Sequence, residues 1–355
     1  MTNFNKMRIN KVFLQLWTMI YYYNNAYILW LKRNVRKYSN AILLLSFPYI
    51  IGRFCVCRML EPLFAFFVCR KRLKERNHIF KHEIAIVAIA KNEGPYIKEW
   101  IEYHRLVGIE KFYFYDNESE DNTVHVLQPY IESGIVTYVL IKGKGKQLDA
   151  YNDAIIKYKK ECRYMAFIDL DEYLKPTIPF KPIYKVVNEI LNTYRKGASG
   201  VGVNWAVFGT SGHKFTPKGL TVLNFIRRGN NREPKNAHIK TIANPREISY
   251  YISPHYPLYK LGAYSVNETG DEHLYVWFSD KREYKNLRIN HYYTKSEEQY
   301  LNEKVKRGLG DRIGSYNIEK FKEYNLNEEE DRGMEVYVDK LKEKMKEEYI
   351  KCNTK

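Results

Sequence analysis

Short apolar runs alternate with amphipathic stretches from residue 83 onward, and this alternation limits the fold more than any other feature of the chain. The run EIAIVAIA (residues 83–90) is apolar and rich in β-branched residues, which predicts a buried strand. The next stretch, PYIKEWIEYHRLVG, has apolar residues at helical spacing, with Pro95 near its start and Gly108 at its end. These are start and stop signals of a helix.

The same alternation continues through two more predicted helices and three more predicted strands. Further predicted strands are KFYFYD, GIVTYVLI and YMAFIDLDE, and further predicted helices are VHVLQPYI and KQLDAYNDAIIKYKKE. Strands that alternate with helices form βαβ crossovers and a mostly parallel sheet. The predicted fold class is therefore α/β, Rossmann-like, with a mostly parallel central sheet flanked by helices.

Polar residues follow three of the predicted strands. They are Asn92 and Glu93, then Asp116 and Asn117, then Asp169 and Asp171. Parallel α/β sheets bind ligands outside the carboxyl ends of their strands. The sequence therefore predicts a ligand site at this edge of the sheet.

Asp169 and Asp171 point to a specific chemistry. In an extended segment, residues two apart face the same way, so both carboxylates would lie on one side while Leu170 is buried on the other. Oxygen ligands favour Mg²⁺ or Mn²⁺, which bind through one or two carboxylates plus substrate phosphates. An acidic turn without a ligand is the alternative, because such a short motif needs its structural context.

Residues 1–82 differ in composition from the rest of the chain. They hold 15 Lys and Arg against two acids, so they carry +13 of the net charge of +17. Their apolar, aromatic stretches are interrupted by polar residues and by Pro48 and Pro62, whereas a spanning helix needs about 20 mostly apolar residues. Basic, Trp- and Tyr-bearing segments of this kind are typical of helices that lie on an anionic membrane surface.

Two alternatives for this segment are a helical subdomain packed on the body and a true membrane span. Nucleic acid is not expected as a partner, because no nucleic-acid-binding motif accompanies the basic residues. At the other end, residues 311–355 mix Glu and Lys at helical spacing, which predicts a charged, exposed helical tail. The predicted domains are thus 1–82, 83–310 and 311–355.

Five sequence blocks, in order, resemble glycosyltransferase family 92 and its bacterial relatives. The resemblance implies a GT-A fold, like that of glycosyltransferase family 2. The blocks are IVAIAKNEGPYIKEWIEYHRLVGIEKFYFYDNESEDNT, KQLDAYNDAI, YMAFIDLDEYL, NWAVFGTSGH and INHYYTKSEEQY. The resemblance covers roughly residues 83–310. It implies a metal-dependent enzyme that transfers a hexose from a nucleotide-diphosphate sugar, with UDP as the favoured nucleotide.

The resemblance also implies roles for individual residues. Those expected to bind the nucleotide sugar are Ala90, Lys91, Asn92, Glu93, Asp116, Gln147 and Asp149. Those expected to hold Mn²⁺ or Mg²⁺ are Asp169, Asp171 and His291, with Glu172 behind them; a structural role is the alternative for His291. Many relatives carry two acids after the second strand, whereas this chain has Asn117 second, which leaves open the residue that contacts the base.

Residues 200–290 are expected to form the acceptor side, with contacts from Trp205, His213, Lys240 and His255. A core position is the alternative for Trp205. An inverting transferase needs a carboxylate that takes the proton of the acceptor hydroxyl. The candidates lie in NETGDEH and are Asp271, Glu272 and Glu268, although a solvated loop is the alternative.

The predicted function is transfer to a saccharide or lipid-linked saccharide in surface polysaccharide or lipopolysaccharide biosynthesis. The predicted location is the cytoplasmic face of a bacterial inner membrane, to which the basic N-terminal segment would attach the enzyme. One alternative is a nucleotidyl- or phosphotransferase, but KGKGK (residues 142–146) lacks the spacing of a phosphate-binding loop. The other is a membrane-bound carbohydrate-binding protein without catalysis, which the intact Asp169 and Asp171 pair disfavours.

Overall fold

A computed structural model describes residues 20, 23–24, 27–28, 39–75, 77–193, 197–274, 277–305 and 317–353. Two helices come first, α1 (Ser39–Leu45) and α2 (Phe47–Glu75). Most of residues 1–38, and the domain boundary predicted near residue 311, lie outside the described residues.

The next part of the chain alternates strands and helices as predicted. Its elements are β1 (His82–Ala90), α3 (Gly94–Leu106), β2 (Lys111–Asp116), α4 (Thr123–Glu132), β3 (Val136–Leu140), α5 (Gln147–Tyr158) and β4 (Cys162–Phe167). Strand β4 ends earlier than predicted. The residues Asp169–Asp171 therefore lie in a turn and not at the end of an extended strand.

The remaining elements are mostly strands. They are β5 (Glu172–Pro176), α6 (Ile183–Thr193), β6 (Ala198–Val207), α7 (Thr221–Asn224), β7 (Arg227–Arg228), a 3₁₀ turn (Pro234–Ala237), β8 (Ile239–Ala243), β9 (Ile248–Ser253), β10 (Tyr256–Tyr259), β11 (Tyr264–Asn267), β12 (His273–Leu274) and β13 (Leu287–His291). The chain continues with α8 (Glu297–Gln299), a π-helical turn (Tyr300–Lys304), α9 (Ile318–Tyr324), β14 (Glu329–Glu330), a 3₁₀ turn (Glu335–Tyr337) and α10 (Val338–Asn353).

The central sheet has the strand order β12-β11-β6-β8-β4-β1-β2-β3, and β13 joins it beside β6 while also pairing with β5. Strand β1 runs parallel to β2 and β4, and β2 runs parallel to β3. Strand β8 is antiparallel to both β4 and β6, so these two strands run the same way. The predicted mixed α/β fold with a mostly parallel central sheet is confirmed, and the carboxyl ends of β1, β2, β4 and β6 share one edge.

Strand β1 shows how the sequence builds a core on both faces of this sheet. Successive side chains of a strand point to opposite faces. Accordingly, Ile84 and Ile86 pack with residues of α3, α4 and α6, whereas Ala85 and Val87 pack with residues of α5, β9 and β10. A strand covered on both faces is continuously apolar, as EIAIVAIA is.

Helix α3 fixes the strand that follows the acidic turn. The indole of Trp100 donates to the carbonyl of Glu172 (2.8 Å), and the hydroxyl of Tyr103 donates to the carbonyl of Leu174 (2.9 Å). Both aromatic side chains are fully buried. The start of β5 is therefore held in place by α3, and the position of the preceding turn follows from it.

Helix α2 packs on the body through its second half. Lys71 forms an ion pair with Glu247, and Glu75 forms one with Arg246 (3.2 Å). Gly262, in a left-handed conformation (φ +85°), approaches the helix so closely that a Cβ would lie 2.4 Å from its backbone. Within the described part of the chain, no helix is both long and apolar enough to cross a bilayer.

Candidate active site

The turn between β4 and β5 orients the two predicted metal ligands. The backbone N–H of Asp169 donates to a carboxylate oxygen of Glu172 (2.9 Å), and the N–H of Glu172 donates back to the carbonyl of Asp169 (3.1 Å). These reciprocal bonds close the turn. As a result the carboxylates of Asp169 and Asp171 contact different groups.

Asp169 contacts residues of α5 and β8. Its Oδ1 accepts from the side-chain amide of Gln147 (2.7 Å) and lies 3.4 Å from the hydroxyl of Tyr151. Its Oδ2 accepts from the ammonium of Lys240 (2.9 Å), which is almost fully buried. The structure thus brings together Gln147, Asp169 and Lys240, three residues that the sequence assigned to the site.

Asp171 contacts residues that come much later in the chain. Its Oδ2 accepts from the ammonium of Lys304, and its Oδ1 lies 3.5 Å from Nε2 of His291. Burial opposes ionisation of Asp171, but the positive charge of Lys304 and a hydrogen bond from His291 outweigh it and hold the pKa of this carboxyl well below its usual range. Asp171 is therefore a carboxylate at neutral pH.

His291 lies between two carboxyl groups. Strands β5 and β13 pair Glu172 with His291, and Nδ1 of His291 lies 4.0 Å from Oε1 of Glu172. Both of these atoms are buried and have no hydrogen-bond partner within the described residues. Burial lowers the pKa of His291 and raises that of Glu172 well above its usual value, so the imidazole is neutral.

This geometry fits a divalent cation. Asp171 Oδ1 and His291 Nε2 face each other, and a metal-binding histidine commonly has a carboxyl group behind its other nitrogen, as Glu172 is here. Among the described residues, no three His, Cys, Asp or Glu side chains converge as a complete metal site. Mg²⁺ and Mn²⁺ need only one or two protein carboxylates when substrate phosphates supply the remaining ligands.

The loops after β1 and β2 are tied to each other. Asn92, in a left-handed conformation (φ +56°), donates its N–H to Oγ of Ser119 (2.9 Å) and accepts from the N–H of Glu120 (2.8 Å). Asp116 is buried, and its carboxylate accepts from the N–H of Ser119 (3.1 Å) and from the hydroxyl of Tyr138 (2.7 Å). Asp116 thus braces the loop, in addition to its predicted role toward the nucleotide.

A cavity of about 350 Å³ opens beside these loops at the carboxyl end of β1. It is lined by Asn92, Pro95, Tyr96, Glu120, Asp121 and Glu303. Ala90 and Glu93 flank it in sequence; Ala90 is the last residue of β1, and the carboxylate of Glu93 lies 3.4 Å from the ammonium of Lys295. Asp149 lies apart, with a mostly exposed carboxylate that is paired with Lys146 (2.7 Å).

Trp205 forms an aromatic cluster beside the metal-ligand candidates. Its ring stacks on His238 (5.0 Å between centroids) and meets the edges of His255 (5.2 Å) and His291 (4.3 Å). Its indole N–H is buried without a partner in the described structure. His213 belongs to a different neighbourhood, where its Nε2 contacts the carbonyl of Asn224 (3.1 Å).

The three predicted catalytic acids are held by their own surroundings. Glu268 is fully buried and accepts three backbone N–H groups from the segment before β13. Asp271 contacts Lys281 (2.8 Å) and Thr269 (2.6 Å), whose hydrogen bonds lower its pKa, and the carboxylate of Glu272 accepts from the hydroxyl of Ser279. The assignment of the base to one of these acids stays a prediction.

Several residues of the site have no signal in the sequence. Lys304 and His238 are examples, because a lone lysine or histidine gives no spacing pattern that would single it out, and Lys295 was not singled out within the block INHYYTKSEEQY. Lys295 is buried, with its ammonium 3.0 Å from the ring centroid of Tyr96. Only the tertiary packing reveals them: Lys304 reaches Asp171, Lys295 reaches Tyr96 and Glu93, and His238 stacks on Trp205.

The mostly parallel sheet and its polar carboxyl edge define an α/β protein whose candidate site is lined by carboxylates and buried lysines. The model of glycosyltransferase family 92 matches residues 89–313, nearly two-thirds of the chain. The chain therefore belongs to glycosyltransferase family 92, as its sequence blocks indicated.

Curated relatives include a family 92 protein of Ricinus communis, 29% identical over 141 residues, which are 39% of this chain and 24% of the relative. A galactan β-1,4-galactosyltransferase of Arabidopsis thaliana is 30% identical over 109 residues, 28% of this chain and 21% of the relative. The chain spans about a quarter of the length of the curated relatives that it matches.

Solved structures overlap with this chain in part. S. aureus TarS 1–349 in complex with UDP-GlcNAc has a TM-score of 0.32 and 15% identity, over 46% of this chain and 45% of that one. Glucosyl-3-phosphoglycerate synthase from Mycobacterium tuberculosis, in complex with Mn²⁺, UDP and glucosyl-3-phosphoglycerate, has a TM-score of 0.24 and 19% identity, over 35% and 44%. The family assignment depends on the family model and not on these overlaps.

Proposed function

We propose that this chain is a metal-dependent glycosyltransferase that moves a hexose from a nucleotide-diphosphate sugar, UDP being the nucleotide, to a saccharide or lipid-linked saccharide. The observation that supports it most directly is the facing pair of Asp171 Oδ1 and His291 Nε2, with Glu172 behind the imidazole. Family membership supplies the reaction class. Surface polysaccharide or lipopolysaccharide biosynthesis is the process in which we place it.

In this proposal the nucleoside occupies the cavity beside Asn92, where carboxylates can accept from ribose hydroxyls and from a base N–H. Asp171 and His291 hold Mn²⁺ or Mg²⁺ on the diphosphate, and such a cation neutralises the charge that develops on the leaving group. Asp169 is kept in place by Gln147 and Lys240, whose ammonium adds positive charge beside the diphosphate.

The acceptor sugar binds on the side of Trp205, whose ring is itself buried and supports this side of the site through its contacts with His255 and His291. Burial keeps His255 neutral by lowering its pKa, and its Nδ1–H donates to the carbonyl of Ile239 (3.0 Å), so its Nε2 is left to accept a hydrogen bond. The hydrogen bonds that lower the pKa of Asp271 weaken it as a base. The carboxylate of Glu268 already accepts hydrogen bonds from three backbone N–H groups. Of the three predicted acids, Glu272 is therefore the best remaining candidate for the base.

The test is hydrolysis of a panel of UDP-sugars by the purified chain, with Mn²⁺ and with EDTA. We expect one sugar to be hydrolysed only with metal, and Asp171→Asn to reduce the rate by at least about 100-fold, since even residues behind a metal ligand cost 10- to 100-fold. The matched control is Asp339→Asn, an exposed aspartate on α10. Cleavage between the two phosphates, which gives UMP and a sugar 1-phosphate in place of UDP, would favour a nucleotidyltransferase, and no turnover with no UDP binding would refute the proposal.

We also propose that α2 lies on an anionic membrane, the cytoplasmic face of a bacterial inner membrane. Successive residues of a helix are rotated by about 100°, which identifies the face of α2 that points away from the body. This face is apolar. It exposes Val56, Met59, Leu63, Phe66 and Phe67, each at least half exposed. Arg70 and Lys74 follow on the same face and are exposed. This combination suits a helix buried in the lipid interface with cations at the headgroups.

Co-sedimentation with vesicles tests the membrane proposal. The chain should bind phosphatidylcholine vesicles that contain phosphatidylglycerol, and it should bind pure phosphatidylcholine vesicles more weakly. It should dissociate from the anionic vesicles as the salt concentration is raised. Phe66→Glu should abolish binding, whereas Ile156→Glu, at an exposed apolar position on α5, should leave it intact. A chain that binds no vesicles, and forms a dimer that Phe66→Glu dissociates, would show that this face binds a second copy.

A further inference from the structure

Each carboxylate of the acidic turn already has a buried ammonium group as its partner. Lys240 serves Asp169, and Lys304 serves Asp171; both lysines are at least nine-tenths buried. A lysine is rarely buried unless it is paired. The site is therefore electrically balanced before any ligand enters, and a divalent cation would add charge that the turn alone does not neutralise.

The fold places Lys304 on Asp171 by a specific device. Ser296 and Gln299 form a reciprocal capping box that starts α8, and the chain then continues as the π-helical turn Tyr300–Lys304. Such turns often mark functional positions. The ammonium of Lys304 also lies 4.4 Å from the ring centroid of Tyr293, which gives it a second favourable contact.

Lys304 and a cation would share one carboxylate. Lys304 contacts Oδ2 of Asp171, while Oδ1 faces His291, where the cation is proposed to bind. Two positive centres on one carboxylate lie within a few ångströms and repel strongly in a buried site. A diphosphate brings the negative charge that removes this conflict, and its oxygens are acceptors for an ammonium group.

We propose that Lys304 makes cation binding conditional on the nucleotide: its ammonium holds Asp171 in the empty enzyme, and it turns to the diphosphate when cation and nucleotide enter together. This inference rests on the proposed function and adds a positioning residue to it. Its consequence is that the chain binds Mn²⁺ weakly without UDP and binds UDP weakly without Mn²⁺, but binds the two tightly when both are present.

Calorimetry of Mn²⁺ binding, with and without UDP, tests the inference on four proteins. For the unmodified chain, UDP should tighten Mn²⁺ binding at least about tenfold, because one charge at this distance is worth that much or more. Lys304→Met should bind Mn²⁺ alone at least about tenfold more tightly than the unmodified chain and lose most of the coupling. Lys304→Arg, which keeps the charge, should retain the coupling.

The fourth protein is a matched control. Lys235→Met removes an ammonium group that likewise lies over a tyrosine ring (Tyr324, 4.8 Å) and pairs with a carboxylate (Glu323, 2.7 Å), but contacts neither aspartate of the turn. It should behave as the unmodified chain does. If Lys304→Met does not fold, as judged by its thermal melt, Lys304→Gln keeps a donor to Asp171 without the charge.

The outcomes separate the two proposals. If Mn²⁺ and UDP bind together to the unmodified chain, but Lys304→Met binds Mn²⁺ alone no more tightly, the inference about Lys304 is wrong and the metal site stands. If the unmodified chain binds no Mn²⁺ even with UDP, the proposed function fails, and the inference fails with it.

Discussion

His104 makes the stability of the fold depend on pH in a way that can be calculated. It is fully buried on α3, where its Nδ1–H donates to the carbonyl of Trp100 (2.8 Å) and its Nε2 accepts the N–H of Leu174 (3.2 Å). Burial lowers the pKa of His104 from 6.5 to about 3. A second proton would sit on Nε2 and face the N–H of Leu174, so the folded chain excludes it.

The sign follows from which state binds the proton. The unfolded chain takes it up below about pH 6.5, whereas the folded chain does so only near pH 3, so the stabilisation is present above pH 6.5 and is lost as pH falls toward 3. Between pH 7 and pH 5 the loss from this one group is about 2 kcal/mol.

The perturbation is His104→Gln, which keeps a donor and an acceptor but does not titrate. Urea unfolding at pH 7, 6 and 5 measures the free energy of unfolding of both proteins. The variant should be the less stable at pH 7, and the gap should narrow by about 2 kcal/mol at pH 5. Other buried histidines, such as His273, titrate equally in both proteins and cancel. Parallel profiles would refute the assigned pKa and the role of burial.

Two further substitutions test other parts of the structure. Glu268→Gln removes a carboxylate that accepts three backbone N–H groups, so it should lower the free energy of unfolding by about 2 kcal/mol. The folded fraction should keep its activity. Loss of activity in fully folded protein would instead support a catalytic role for Glu268. Gly262→Ala places a Cβ against the backbone of α2 and should cost about 1–3 kcal/mol in urea unfolding in addition to the backbone strain of its positive φ. Gly134→Ala, at similar φ in open space, should cost only the backbone strain, about 1 kcal/mol, and an equal loss in both would contradict the close contact with α2.

The alternation of elements was predictable because local patterns determine it. Strand β2 has the predicted limits, and α3 begins and ends near Pro95 and Gly108 as their backbone preferences require. The end of β4 was not predictable to the residue, since the bond between the N–H of Asp169 and the Glu172 side chain closes a turn that periodicity does not encode. The two aspartates therefore contact different groups.

The site was predictable only where residues follow a strand of the parallel sheet. Asp169 follows β4, and its hydrogen bond to Gln147 at the start of α5 shows that the two lie together, while their roles toward donor and cation stay predictions. Lys304 lies 133 positions from its partner Asp171, and no local pattern connects the two. His213 matched a sequence block as well as Trp205 did, yet tertiary packing places it beside Asn224, away from the aromatic cluster.

The pairing of β5 with β13 also sets when this site can exist during synthesis of the chain. Glu172 and His291 are opposite each other in an antiparallel ladder, and a slip of one residue would turn the imidazole to the other face. Everything before β13 can fold as a sheet while the acidic turn still lacks its histidine and its lysine. Residues 291 and 304 must leave the ribosome before Asp171 can contact either of them, so in a nascent chain the surroundings of Asp171 are completed only after all strands before β13 have emerged.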